Sequence, residues 1–182
     1  MSTQLLQGGQ PITWNKVFNY WRENETGPNS HWNTFWPSQG FKSWEEWRQH
    51  THANLHGEQL SWELYDMADP LELVPTFRGG PFRSWTKWFY SAFNSDAPTF
   101  AELVQHPGVS SNWFILELAK NFPDKSVITG VRTPDGIVIV EGMHRCCALA
   151  LRAKWNKSLN GPVPLVLAEY PNKLPMLGAE KK

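Results

Sequence analysis

The stretch VITGVRTPDGIVIVEGMHRCCALALRA, residues 127–153, decides the fold prediction. Its first five residues, 127–131, are mostly β-branched and predict a strand, and the TPDG that follows has Pro and Gly at positions favoured in turns. Residues 137–140 are apolar at every position, which predicts a second strand that is buried on both faces. A glycine corner then leads into a run of helical composition, and residues 163–170 predict a last strand. This order of elements predicts an α/β domain.

The N-terminal part of the chain has a different composition, because seven of the 11 Trp fall within the first 62 residues. Trp rings stack on sugars and bases, so one interpretation is a ligand-binding platform. The other, which we favour, is a helical extension over residues 1–57 whose large rings pack onto a core domain over residues 58–182. Apolar residues spaced i, i+3, i+4 and i+7 from Trp14 to Trp21 predict the first helix of this extension.

The remaining segments carry weaker patterns. Residues 1–12 predict a loose arm, and residues 24–40, rich in Asn, Gly, Pro and Ser, predict a loop. The capping-box sequence SWEE at 43–46 predicts the start of a second helix. Further along, residues 60–75 predict one or two short strands, and residues 84–120 predict several short helices.

The charge balance excludes one class of protein. The 182 residues include 17 Lys plus Arg and 17 Asp plus Glu, so the formal net charge is zero. Proteins that bind nucleic acid or anionic lipid non-specifically usually carry a net positive charge. Any anion site must therefore be local.

Cys146 and Cys147 are adjacent, and two thiols do not make a zinc site, which predicts a reduced, cytoplasmic protein. No apolar run approaches the roughly 18 residues of a spanning helix, and no signal peptide is evident, so we expect no membrane partner.

The segment EGMHR, which begins at Glu141, has the features of an anion-binding corner. It lies where a buried strand gives way to a helix, and a helix N-terminus presents unpaired N–H groups and the positive end of the helix dipole. Gly142 permits a positive φ or a close approach of the backbone to a ligand. His144 and Arg145 add donors, and a guanidinium matches phosphate oxygens. The alternative is structural, with Arg145 paired to a carboxylate such as Glu141 or Asp124.

This corner resembles that of the ParB/sulfiredoxin superfamily, which includes ParB partition proteins, sulfiredoxins and free serine kinases. The resemblance is carried by Gly142, His144, Arg145 and Ala148, is specific over residues 126–170 and extends back to about residue 60. It implies a ParB/sulfiredoxin-like domain with a small mixed sheet and surrounding helices, to which the Trp-rich helical extension is added. It also implies that nucleotide phosphates are cradled by Gly142, Met143, His144 and Arg145.

The differences between this chain and each branch of the superfamily indicate which branch its corner resembles most. Sulfiredoxins place a catalytic Cys immediately before the His-Arg pair, where this chain has Met143, so reduction of a sulfinic acid is not expected. Partition proteins carry a long basic DNA-binding region downstream of the corner, and no such region is found here. The serine-kinase branch, with an acidic residue before the glycine, fits best, with Glu141 in place of the usual Asp.

By this resemblance the protein binds a nucleoside triphosphate or diphosphate, ATP or ADP foremost, with Mg²⁺. It transfers phosphate to a small-molecule acceptor or hydrolyses the nucleotide. Glu141 would bind the metal or act as general base. An early strand over residues 73–78 would contribute Arg78 as a further ligand contact, although Gly-Gly-Pro after it also fits a plain turn. A second catalytic carboxylate would come from Asp69 or Glu72.

Two other functions stay open at this stage. One is a ParB-like DNA-associated protein or nuclease, which the balanced charge disfavours, and the other is a non-catalytic module whose Trp-rich face binds a partner. His50, His52 and His56 offer a further alternative, because His52 and His56 share a helix face and form a usable metal pair. A third ligand is missing, and we favour a solvated helix end. The sequence does not indicate an oligomeric state.

Overall fold

A computed structural model describes residues 5–178 of the chain. The described strands form one mixed five-stranded sheet in the order β1-β2-β5-β3-β4, in which β3 and β5 are parallel and the other neighbours are antiparallel. The strands are β1 Leu6–Ile12, β2 Trp62–Met67, β3 Ile128–Thr133, β4 Gly136–Glu141 and β5 Val163–Glu169. The helices are α1 Trp14–Glu25, α2 Trp32–Ser38, α3 Trp44–Thr51, α4 Pro70–Leu73, α5 Arg83–Trp88, α6 Phe100–Leu103, α7 Pro107–Ser110, α8 Trp113–Lys120 and α9 Met143–Lys154, with short 3-10 segments at Ala53–Leu55, Gly57–Gln59, Val74–Thr76 and Tyr90–Phe93.

The predicted α/β class and the predicted hairpin are confirmed. The turn between β3 and β4 contains Gly136 at φ 115°, a conformation that glycine adopts without steric cost. Side chains alternate between the two faces of a strand. In β4, Ile137 and Ile139 therefore belong to the core beneath α9, whereas Val138 and Val140 belong to a second core beneath the N-terminal helices. The strand is buried on both faces, as its uniformly apolar sequence predicts.

The second core explains much of the Trp content. Val17 and Trp21 of α1 and Trp44 of α3 are buried there against the valines of the sheet. Trp21 also donates an indole hydrogen bond of 2.9 Å to the Thr129 hydroxyl, so the N-terminal helices and the sheet are joined by polar as well as apolar contacts. Large rings attach the extension to the sheet, which is the interpretation that we favoured from the sequence.

Three local predictions were wrong. Residues 6–12, predicted as part of a loose arm, form β1 and pair with β2, while residues 1–4 of that arm lie outside the described residues. Part of the predicted loop over 24–40 forms α2, which contains Pro37. Residues 70–73 form a helix rather than a strand, because Asp69 caps its N-terminus by accepting from Glu72 N–H. In β1 and in the helix at 70–73, a short segment takes its structure from a pairing strand or a cap and not from its own periodicity.

The predicted early strand over 73–78 is also absent. Its middle forms a 3-10 turn, and Arg78 alone makes an isolated bridge beside β4. Among the described residues, no helix is long and apolar enough to cross a membrane.

Candidate functional site

The corner between β4 and α9 adopts the geometry that its sequence predicts. Gly142 has φ 102°, in the left-handed region, and occupies the N-cap position of α9. No side chain caps this end of the helix. The first N–H groups of a helix have no acceptor within it, so α9 begins with unpaired donors. Gly142, Met143 and His144 all line the same large cavity.

Arg145 is engaged by the protein itself. One terminal nitrogen, Nη2, donates to both oxygens of Glu141 at 2.5 and 2.6 Å. The other, Nη1, donates to the Ser126 hydroxyl and to the Val127 carbonyl, both at 2.9 Å. Arg145 is 9% exposed and Glu141 4%. The structure therefore contains the ion pair that we considered as the alternative to a phosphate contact, and Asp124 is exposed and takes no part in it.

A second buried ion pair lies beside the first. Arg48 of α3 donates through Nε to Glu25 Oε2 at 2.7 Å and through Nη2 to Glu25 Oε1, and Trp44 donates its indole N–H to the same carboxylate at 2.7 Å. Asn24, the residue before Glu25, contacts the first pair, since its amide donates to Glu141 Oε2 at 3.5 Å and to Val127 O at 3.0 Å. The sequence pattern does not indicate this pair, because Glu25 and Arg48 lie 23 positions apart and no local spacing relates them.

Burial and the two neighbouring guanidinium groups act in opposite directions on the pKa of Glu141. Desolvation raises the pKa of its carboxyl, and the Arg145 guanidinium opposes that rise. The carboxylate of Glu25 raises the pKa further, and Arg48 lowers it. The corner is thus a group of two carboxylates and two guanidinium groups, one pair from the core domain and one from the extension.

A cavity of about 1140 Å³ opens beside this group. Its walls are aromatic and come from both parts of the chain. The extension contributes Trp32, Phe35 and Trp47, and the core domain contributes Trp85, Trp88, Phe89 and Phe114. The extension is therefore a wall of the cavity as well as a layer on the sheet.

His144 lies among these rings. Its imidazole is 5.4 Å from the Trp85 and Phe114 ring centres and 5.8 Å from that of Trp32. Desolvation, together with the charges of nearby His31 and Arg145, lowers its pKa to about 3. The ring is therefore neutral near pH 7. Within residues 5–178 its contacts are with rings, and no hydrogen bond fixes its tautomer, so both nitrogens are left for a ligand or water.

The mouth of the cavity carries surplus positive charge. The exposed charged residues that line it are three cations, Arg83, Lys87 and Lys125, and one carboxylate, Glu23. Three positive charges minus one negative charge leave a surplus of two. The buried charges in the lining neutralise each other in the two Arg–Glu pairs. Since the whole chain is neutral, this surplus is the local feature that an anion site in such a protein requires.

Three predicted site residues lie elsewhere. Asp69 and Glu72 are exposed at the start of α4 and do not line the cavity. Arg78 donates to the carbonyls of Asp135 at 2.8 Å and Ala97 at 2.9 Å, away from the corner. The residues that the structure does bring together around the cavity are Glu141, Gly142, Met143, His144 and Arg145.

The carboxylates near the corner do not fit a metal ion. Mg²⁺ takes oxygen ligands and is usually held by one or two carboxylates together with substrate phosphates. Both oxygens of Glu141 accept from Arg145, and both oxygens of Glu25 accept from Arg48. Within residues 5–178, no group of three or more His, Cys, Asp or Glu has the arrangement of a metal site. A metal-ligand role for Glu141 would require Arg145 to move away first.

His52 is a structural residue rather than a metal ligand. Its Nε2 lies 2.8 Å from the Val140 carbonyl, which accepts the ring N–H, and its Nδ1 lies 2.9 Å from the Thr51 hydroxyl. Burial, reinforced by the charge of Arg48, lowers its pKa to about 3. The neutral ring thus joins α3 to the end of β4, directly before the corner.

We expect stability to fall as the pH is lowered from about 6.5 towards 4. The folded-state pKa of His52 and of His144 is lowered to about 3, so in this pH window each ring binds a proton in the unfolded chain but not in the folded one. Each of the two therefore lowers the free energy of unfolding by about 1.4 kcal/mol per pH unit. The raised pKa of Glu141 acts with the opposite sign and reduces the net slope. Urea denaturation at pH 7.5, 6 and 5 measures this effect, and His52→Gln should flatten it. His56→Asn, at an exposed position, is the control and should leave the slope unchanged.

Comparison of the chain with protein-family models, with curated proteins and with solved structures found no match.

Proposed function

We propose that this protein binds a nucleotide in the aromatic cavity and transfers its phosphate to a small-molecule acceptor held in the same cavity. The observation that carries the proposal is one cavity that combines three features. These are the uncapped start of α9, a surplus of two positive charges at the mouth, and ring walls from both parts of the chain. Together they match the anionic and the planar parts of one ligand.

The phosphate end of the ligand is assigned to the corner and the mouth. The N–H groups at the start of α9 and the helix dipole favour an anion there. Lys125 and Arg83 supply exposed cations, whereas the Arg145 guanidinium stays with Glu141 and keeps the corner in its conformation. This assignment differs from the resemblance in one respect, since Arg145 acts as a positioning residue rather than as a direct phosphate ligand.

The base of the nucleotide is assigned to the ring walls. Aromatic side chains stack on bases whatever their sequence. His144 lies between Trp32 and Trp85 with both nitrogens available, so it can hydrogen-bond to the ligand in its neutral form. The cavity volume, about 1140 Å³, exceeds the 300–1,000 Å³ typical of small-molecule pockets, which leaves room for an acceptor.

The proposal includes the ParB/sulfiredoxin-like fold for the core domain. It is supported by the order of β4, the E-G-M-H-R corner, α9 and β5 within one mixed sheet. ATP or ADP stays the first nucleotide to test. Because the carboxylates do not fit a metal, we derive no step through Mg²⁺. A magnesium ion would enter with the phosphate oxygens.

The test is a thermal-shift and calorimetric panel of ATP, ADP, CTP, GTP, AMP, pyrophosphate and phosphate, each with and without Mg²⁺. A ligand at 100 times its dissociation constant adds about 2.7 kcal/mol of stability, which raises the Tm by several degrees. We expect at least one nucleotide to bind more tightly than pyrophosphate, because the rings contribute only to the nucleotide. For a nucleotide that binds, release of its phosphate is then measured with candidate acceptors.

Lys125→Gln and Lys120→Gln form a matched pair for this test. Both lysines are exposed, but only Lys125 lines the cavity. An exposed charge contact contributes about 0.2–1 kcal/mol, so Lys125→Gln should weaken binding by up to about fivefold at low salt, and Lys120→Gln should not. Absence of binding by every nucleotide and phosphate in the panel would refute the proposed function.

A further inference from the structure

The mouth of the cavity presents more exposed apolar surface than a single bound nucleotide would cover. Trp88, at the end of α5, lines the cavity and is nevertheless 64% exposed. Two further apolar side chains at the mouth, Phe35 and Met176, are 41% and 42% exposed. A single nucleotide whose base lies among the inner rings would leave these outer apolar surfaces in water.

The cations stand beside the exposed ring. The Lys87 ammonium lies 4.9 Å from the centre of the Trp88 ring, and Arg83 is one helical turn before Lys87 on α5. Residues four apart lie on the same face of a helix. Two cations for phosphates and an exposed ring for stacking therefore lie along one short helix, α5, whose residues 83–88 all line the cavity. Alternation of base and phosphate is the chemical pattern of a nucleic-acid strand.

We infer that the natural ligand is the end of a single strand of nucleic acid, with its terminal nucleotide in the cavity and the next base on Trp88. This inference rests on the nucleotide-binding part of the proposed function and names the class of molecule to which the bound nucleotide belongs. A duplex does not fit, because its bases are paired and stacked and cannot enter a slot between protein rings. The neutral overall charge accords with recognition of an end, since binding along a whole strand would call for a long basic surface.

The experiment compares 5′-phosphorylated oligodeoxythymidylates of one, two, four and eight nucleotides by quenching of Trp fluorescence and by calorimetry. Stacking of a base on an aromatic side chain strengthens binding by about 5- to 150-fold, so affinity should rise by that factor from one nucleotide to two and then level off. Two phosphate contacts predict that the affinity of the tetranucleotide falls about sevenfold between 50 and 200 mM salt. A blunt duplex of eight base pairs should not compete.

Trp88→Ala and Trp113→Ala are the matched variants. Trp113 is 67% exposed and does not line the cavity, so neither substitution opens the core. We expect Trp88→Ala to abolish the gain in affinity from one nucleotide to two, and Trp113→Ala to retain that gain in full. Equal affinity for one and four nucleotides, or equal competition by the duplex, overturns this inference and leaves the proposed function standing. Failure of every oligonucleotide also overturns this inference, and the proposed function falls with it only if every nucleotide and phosphate of the thermal-shift panel fails as well.

Discussion

Arg145→Met should destabilise the protein by about 3–5 kcal/mol. The substitution leaves the Glu141 carboxylate buried without its partner, and breaking a buried pair on one side has a cost of that size. A domain has only about 5–15 kcal/mol of stability in total, so the variant should unfold at a much lower urea concentration. The double variant Glu141→Gln/Arg145→Met, which removes both charges, should recover most of the loss.

The surface pair Arg132–Glu169 provides the control. Arg132 Nε lies 3.3 Å from Glu169 Oε1, but the Glu169 side chain is 82% exposed. Exposed ion pairs contribute about 0–1 kcal/mol to the free energy of unfolding. Arg132→Met should therefore change the urea midpoint little. A loss below 1 kcal/mol for Arg145→Met would show that Arg145 is held only loosely by Glu141. Its guanidinium would then be available for phosphate, as the corner motif alone predicts.

Trp21→Ala should cost about 3–5 kcal/mol. Trp21 is completely buried, and it packs on Trp14 at 5.3 Å and on His52 at 4.7 Å between ring centres. Truncation of a buried Trp leaves a cavity that the surrounding rings cannot fill. Thr129→Val removes only the acceptor of the indole N–H, so it should cost about 1–3 kcal/mol, because that donor then stays buried and unpaired.

Both variants also test how the extension is attached. Because β1 belongs to the common sheet and Trp21 bonds to β3, Trp fluorescence and far-UV circular dichroism should report one transition at the same urea concentration. Trp113→Ala, at an exposed position, should lie within about 0.5 kcal/mol of the wild type. Two separate transitions, with the fluorescence change first, would mean that the extension unfolds on its own.

Structure was predicted correctly where several independent features of the sequence indicated the same element. The hairpin from β3 to β4 has a turn sequence, two apolar strands and a glycine corner that all agree. The predicted start of a helix at 43–46 is also observed, with Ser43 accepting from Glu46 N–H at 3.1 Å as the N-cap of α3. Where one weak signal stood alone, the prediction failed. β1 contains two glycines and a proline, and only its pairing with β2 makes it a strand.

The sequence by itself determined the α/β class, the corner after β4 and the local character of any anion site, because these follow from periodicity, turn chemistry and net charge within short windows. Only the tertiary structure decided which partners the charged side chains of the corner take. The pairing of Arg145 with Glu141, the second pair of Glu25 with Arg48 and the ring walls of the cavity join residues from distant parts of the chain. Such contacts depend on how helices pack across a sheet, and no spacing along the chain encodes them.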